Sequence, residues 1–197
     1  NICQVLGCME SDIMDIFPIK TGLTNLSFCF SCYGKRYVYR HPGVGTEEYI
    51  NREAEAAVME IARELGVDDT YIYIHPTEGW KISHYIENAE LLDYHNIGQV
   101  ENALEILWTL HNSGKNTGYY FDIWQEIAGF KKRLKGSNRT DFEDMQEMEE
   151  RIETIQGYLN QDGVEKTICH SDSYSPNFLI DQQDKMYLID WEYSGMS

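Results

Sequence analysis

The residues best suited to chemistry lie near the C-terminal end, in His170-Ser-Asp172-Ser-Tyr-Ser-Pro-Asn177 and in Asp190, thirteen residues further on. Between Asn177 and Asp190 run Phe178-Leu-Ile180, a polar turn over Asp181-Gln-Gln-Asp-Lys185, and Met186-Tyr-Leu-Ile189. Folding the two apolar runs into a hairpin about that turn pairs Asp181 with Met186, Leu179 with Leu188 and Asn177 with Asp190. Opposed hairpin residues hold their Cβ atoms ~5 Å apart, which makes the Asn177 amide oxygen and the Asp190 carboxylate neighbours. Two hard oxygen ligands at that spacing suit Mg²⁺, which takes few protein ligands and completes its shell from substrate phosphates. Asp172, on a Pro-containing loop five residues before Asn177, is then free to face the same phosphate from the side of an attacking nucleophile. Asp and Asn near Pro are ordinary turn formers as well. Their combination with the Asp190 hairpin favours a site, and His170 reads as a buried brace for the loop.

The elements that must position these groups fall into two stretches. The first is strand-rich: Ile16–Lys20, Leu26–Tyr33, Arg36–Arg40, Tyr71–His75 and Trp80–Ile86 are apolar or aromatic runs separated by the turns Gly22-Leu-Thr-Asn25, Gly34-Lys35 and Pro76-Thr-Glu-Gly79. Tight turns between short strands imply an antiparallel sheet of five. One helix interrupts it, with Thr46 as its cap, Glu47 and Glu48 at the positive end of the dipole, and Ile50, Ala54, Ala57, Val58, Ile61, Ala62 and Leu65 as its apolar stripe before Gly66. Glu53 and Glu55 flank that stripe equally. From about Leu91 the pattern turns helical. Val100, Ala103, Leu104, Leu107 and Leu110 form one stripe, a second helix opens at Asp122, and a third opens at the capping box Thr140-Asp-Phe-Glu143 with Met145, Met148, Ile152, Ile155 and Leu159 as core filler. The boundary between the strand-rich and helical parts falls near residue 88.

Composition narrows the partners. Sixteen Lys plus Arg against 33 Asp plus Glu leave a formal charge of −17, which repels a nucleic-acid backbone and favours a small cation. No apolar run reaches the ~20 residues of a membrane helix and Asn1 opens no signal pattern, so a cytosolic protein without membrane association is expected. Five cysteines, an odd number, argue against a disulfide framework. Cys29 and Cys32 form a CxxC, but in a strand positions i and i+3 point to opposite faces, so reduced thiols are expected rather than a metal site.

With these residues in view, the chain resembles the aminoglycoside phosphotransferase and choline kinase superfamily, and most of all the bacterial choline kinases. The resemblance rests on His170-x-Asp172-x4-Asn177 with Ile189-Asp190. It extends through Gly22-Leu-Thr-Asn25, Tyr37-Val-Tyr-Arg40, Gly45-Thr-Glu-Glu-Tyr-Ile-Asn-Arg52-x-x-Glu55, Ile82-Ser-His-Tyr-Ile-Glu87, Leu110-His111 and Asp190-Trp-Glu-Tyr-Ser-Gly195. It implies an α+β, protein-kinase-like fold: a five-stranded antiparallel N-lobe with one long helix and the hinge over residues 1–88, and a mostly helical C-lobe with the catalytic loop over 89–197. It implies ATP and Mg²⁺ as cofactors. Asp172 would orient the acceptor hydroxyl and take its proton, Asn177 and Asp190 would be the metal ligands, and Gly22, Thr24 and Asn25 would cover the phosphates through a loop that departs from the protein-kinase glycine pattern. Arg40 stands where such kinases carry a phosphate-gripping lysine, with Glu55 as its partner. Only the resemblance selects Glu55 over Glu53. Backbone groups of His84 and Ile86 would meet adenine.

The implied acceptor is choline, a quaternary ammonium that is recognised by aromatic faces and a carboxylate. Glu192 and Tyr193 supply both directly after Asp190, while Trp191 reads as packing. Ethanolamine or an aminoglycoside as acceptor, or a kinase-shaped binding module without turnover, are the alternatives. The chain stops seven residues after Asp190, whereas the resembling kinases continue through further helices, so an incomplete C-lobe is expected.

Overall fold

The computed structural model describes residues 1–20, 25–136 and 142–197. Gly22, Thr24 and Thr140 lie outside the described residues. The chain divides into two compact units, residues 1–121 with 167–197, and residues 122–166.

The first unit opens with helix α1 (Ile2–Leu6), then strands β1 (Met14–Ile19), β2 (Leu26–Cys32) and β3 (Lys35–His41). Helix α2 (Arg52–Glu64), strands β4 (Tyr71–Ile74), β5 (Lys81–His84) and β6 (Glu90–Leu91), and helix α3 (Ile97–His111) follow. Five strands make one antiparallel sheet in the order β1-β2-β3-β5-β4. Tyr33 and Gly34 both take positive φ, which gives the two-residue turn whose twist matches a β2–β3 hairpin. The resulting register pairs Phe30 with Tyr37 and Phe28 with Tyr39, and their rings stack at 5.4 and 5.1 Å. This face, with Cys32, Trp80 and Ile82, is covered by Ile2, Cys3, Val5 and Leu6 of the N-terminal helix. The opposite face carries Cys29, Val38, Arg40 and Lys81. Cys29 and Cys32 thus stand on opposite sides, and all five cysteines are free thiols.

Helix α2 starts later than its sequence suggests. Asn51, not Thr46, caps it, accepting the Ala54 N–H at 3.1 Å. Thr46 opens a single 3₁₀ turn, and its hydroxyl is spent on the Gly43 carbonyl at 2.8 Å. Ala54, Val58 and Ala62 are buried as the stripe requires, Ala57, Ile61 and Leu65 are half-buried, and Met59, outside the stripe, is buried as well. On α3 the stripe is narrower than expected, because Ala103 and Leu110 are buried whereas Leu104 is 60% exposed.

In the second unit, α4 (Ile123–Gly136) and α5 (Met145–Asp162) are joined by an ion pair from Lys131 to Glu149 at 2.5 Å. No residue of α5 is buried, so its methionines are not core filler.

The chain returns to the first unit through β7 (Ile168–Cys169), β8 (Phe178–Ile180), β9 (Met186–Leu188) and β10 (Gly195–Met196). The β8–β9 register differs by one residue from the sequence expectation: Phe178 opposes Leu188, Leu179 opposes Tyr187 and Ile180 opposes Met186. The Asp181 carboxylate accepts the N–H groups of Gln183 and Lys185, both at 2.9 Å, and Asp184 takes a positive φ, so the loop holds one residue more. A slip of one exchanges faces. Phe178, Ile180, Met186 and Leu188 now point together into a core with Val58, Leu110, Ile168 and Trp191. Asn177 consequently lies opposite Ile189, whose N–H donates to its carbonyl at 2.9 Å, and not opposite Asp190. Among the described residues, no helix is long and apolar enough to cross a membrane.

Candidate active site

Arg40 on β3 and Lys81 on β5 are register partners, so the sheet places two cations side by side on the face away from the aromatic cluster. Both are buried, and a buried charge demands a partner. Glu55, fully buried on α2, supplies it. Its carboxylate accepts from Arg40 Nη2, from Arg52 Nη1 at 2.9 Å and from Lys81 Nζ at 3.3 Å. Burial alone would raise its pKa, but these three cations hold it below the usual carboxylate range. Glu53 turns elsewhere and accepts the Tyr119 hydroxyl at 3.2 Å.

Arg40 reaches further. Its Nη1 donates to Asp190 Oδ1, and its Nη2 lies 3.7 Å from Glu192. Burial would lower the pKa of Arg40, and the charges of Glu55, Asp190 and Glu192 raise it instead. Asp190 is held below the carboxylate range in the same way, its burial outweighed by Arg40 and Lys81. Arg40 Nε is buried without an acceptor among the described residues. Arg52 donates to Thr46 Oγ1 at 2.8 Å and lies 3.9 Å from Glu192. Its stem presses on Gly79, where a Cβ would sit 2.4 Å from Arg52 Cδ and where φ is +70°, so only glycine serves there. Glu192 also accepts the Asn25 amide at 3.0 Å. Arg40, Arg52 and Lys81 thereby face Glu55, Asp190 and Glu192, three cations against three anions.

The second group is built on the loop after β7. His170 is buried against the edge of Trp191, with ring centroids 4.6 Å apart. Its Nε2 lies 2.8 Å from the Ile189 carbonyl and its Nδ1 accepts the Asp172 N–H at 3.2 Å. Burial takes its pKa down to about 4, so it braces the loop as neutral imidazole. The Asn177 side-chain amide donates to the Asp172 carbonyl at 2.8 Å and to its carboxylate at 3.0 Å, so both bonds use its nitrogen and neither uses Oδ1. Burial, reinforced by the charge of Asp190 and opposed by the Asn177 hydrogen bond, raises the pKa of Asp172. Ser171 and Asp190 both take positive φ, a conformation that costs about 1–2 kcal/mol per non-glycine residue and recurs at functional sites.

Of the residues singled out in the sequence, the structure gathers Asn25, Arg40, Glu55, Asp190 and Glu192 into one network, and joins Asp172 to Asn177. Tyr193 is half-buried and edge-on to Phe121 at 6.3 Å, and burial followed by the Glu192 charge takes its phenol up to about 12. His84 and Ile86 line a cavity of about 490 Å³ with Asp69, Thr70, Tyr85, Glu87, Tyr187 and the Asp181–Gln183 turn. Asp172, Asn177 and Asp190 are not among its lining residues. Sequence reasoning missed Lys81, and noted Arg52 without a role. The available signal was charge at inward strand positions, since Lys81 precedes the buried Ile82 and opposes Arg40. It also missed Asp68, which accepts the Trp191 indole N–H at 3.1 Å.

A hard carboxylate, an amide oxygen and a buried guanidinium N–H lacking an acceptor are a donor set suited to a divalent cation and a phosphate. Together with a five-stranded antiparallel sheet and one helix presenting a glutamate to a strand cation, they define a protein-kinase-like α+β fold. The chain belongs to the choline/ethanolamine kinase family, which it matches over residues 16–197. It is similar to choline kinase LicA from Streptococcus pneumoniae, with a TM-score of 0.82 and 27% identity over 99% of this chain and 67% of that one. A structure of LicA in complex with AMP matches with a TM-score of 0.79 and 27% identity, over 98% of this chain and 67% of the other. Protein LicA of Haemophilus influenzae is 26% identical over 183 residues, 89% of this chain and 52% of that protein. The chain spans between 52% and 66% of the length of the two Haemophilus relatives it matches.

Proposed function

We propose that this chain carries the centre of a choline kinase, which transfers the γ-phosphate of ATP in line to the hydroxyl of choline and yields phosphocholine. The observation that carries this reading is the double use of Asn177. Its side-chain amide fixes the Asp172 carboxylate, and its backbone carbonyl accepts the N–H of Ile189, next to Asp190, so base and metal ligands share one scaffold.

Residues 1–88 supply the nucleotide side. The buried Arg40 N–H groups meet phosphate, Asn25 stands beside them through its bond to Glu192, and adenine takes the His84 carbonyl and the Ile86 N–H. The His84 N–H is already spent on Thr70, at 2.8 Å. Asn177 Oδ1 and the Asp190 carboxylate would hold Mg²⁺, which would supply neutralisation of the charge developing on the phosphates. Residues 89–197 supply the acceptor side. Asp172, its pKa raised, accepts the choline hydroxyl proton as the oxygen attacks, and positioning supplies most of the remaining acceleration. Glu192 and Tyr193 face the cationic head. Residual negative charge over the molecule draws in such a cation.

The test is incubation with Mg-ATP and choline, ethanolamine or an aminoglycoside, following ADP and the phosphorylated product by ³¹P NMR. Phosphocholine formed fastest supports the reading. Faster turnover of another amine reassigns the acceptor, and nucleotide binding without ADP formation makes the chain a binding module.

A further inference from the structure

We propose that Arg40 is the resident counter-cation of the metal carboxylate, so that a divalent cation binds Asp190 only by displacing it, and a phosphate anion assists by drawing Arg40 away. This deepens the reading of Asp190 as a metal ligand and rests on it.

The network singles out Arg40 as its shared member. Arg52 reaches Glu55 and Glu192, and Lys81 reaches Glu55, whereas Arg40 touches Glu55, Glu192 and Asp190. Among the described residues Asp190 has ion-pair contact with Arg40 alone. Its side chain is 34% exposed while that of Glu55 is wholly buried. If Arg40 leaves, Glu55 keeps Arg52 at 2.9 Å and Lys81 at 3.3 Å. Asp190 instead loses its one ion-pair partner among the described residues, at the one carboxylate of this pair that solvent reaches. The exchange is therefore directed, with the incoming divalent cation replacing Arg40 at Asp190 while Glu55 keeps two cations of its own.

The other half of the exchange is also visible. Among the described residues Arg40 Nε lacks an acceptor, and a buried donor left unsatisfied is destabilising. A phosphate oxygen accepting from this guanidinium repairs that deficit and competes with Asp190 for the same fork. Each ligand thus releases the residue the other needs, which is positive coupling in the thermodynamic sense.

Mn²⁺, without nucleotide, is the probe, and its binding is read by EPR on the wild-type chain, Arg40→Gln, Arg40→Lys and Asp190→Asn. Arg40→Gln is expected to bind Mn²⁺ about tenfold more tightly than wild type, since no guanidinium competes. Arg40→Lys keeps a cation for Glu55 but loses the fork, so it shifts the same way by less, and it decides the matter should Arg40→Gln not fold. Asp190→Asn is expected to lose the site. Unchanged or weaker binding in the Arg40 variants, with Asp190→Asn still losing the site, overturns the exchange and leaves the metal reading intact. Unaltered Mn²⁺ binding in Asp190→Asn overturns the metal reading and the exchange with it.

Discussion

In the proposed reaction Asp172 owes its basicity to partial burial. A carboxylate in water is a weak base, and moving its pKa toward neutrality improves it as a proton acceptor. Burial and the nearby Asp190 charge move it that way, while one hydrogen bond from Asn177 restrains the shift and aims the group. Asp172→Asn keeps the shape and removes the acceptor, so kcat is expected to fall by about 10² to 10⁴ with nucleotide affinity retained. The acid limb of the wild-type kcat/KM profile should lie above the usual aspartate range and vanish in the variant. A near-normal kcat with a raised nucleotide KM would assign Asp172 to phosphate binding instead. For Glu192 the structure sharpens the question, because its carboxylate is shared with Asn25, Arg40 and Arg52. If Glu192 also faces the substrate cation, Glu192→Gln raises KM for choline more than for ATP, and a neutral alcohol of similar shape is insensitive. A larger rise in the ATP KM would show that Glu192 serves Arg40 and the phosphate loop.

Helix α2 delivers Glu55, and its start decides the angle of delivery. With Asn51 as cap, Arg52 becomes the first helical residue and stands three before Glu55, one turn apart, where the pair meets. Thr46 is thereby freed to receive Arg52 rather than the helix. Asn51→Ala is expected to cost about 1 kcal/mol and to speed hydrogen exchange at the Ala54 amide. Thr46→Val should leave that amide protected while lowering stability through the unpaired Arg52 Nη2. The urea midpoint and Ala54 exchange rate of the two variants separate the roles, and loss of Ala54 protection in Thr46→Val would return the cap to Thr46.

Over the whole molecule the buried groups set the pH response. His170 has a folded pKa of about 4 against 6.5 unfolded, so as pH falls below 6.5 the unfolded chain takes up a proton that the folded chain refuses. Stability is therefore full above 6.5 and is lost on the way down to about 4, by an amount on the order of 3 kcal/mol. Glu55 and Asp190, with depressed values, add their losses below the usual carboxylate range. A urea midpoint flat from pH 7 to 4.5 would contradict a neutral, buried His170, and His170→Asn should remove this part of the slope if it folds.

Much of this was legible before any coordinates, for definite reasons. Alternation and tight turns specify strands locally, which is why Leu26–Tyr33, Arg36–Arg40 and the opposed faces of Cys29 and Cys32 could be read directly. Asp172, Asn177 and Asp190 stand in an order and spacing that travel together along the chain. The hairpin register could not be read, because one more loop residue costs little locally and the choice falls to which face finds a core. Burying Phe178, Ile180, Met186 and Leu188 together selected it, and turned Asn177 toward Asp172. Helical periodicity left Glu53 and Glu55 equivalent, and the cations of β3 and β5 separated them. Lys81 and Arg52 stayed hidden for the same reason: a charge in a strand or at a helix start acquires meaning only from what the tertiary fold buries beside it.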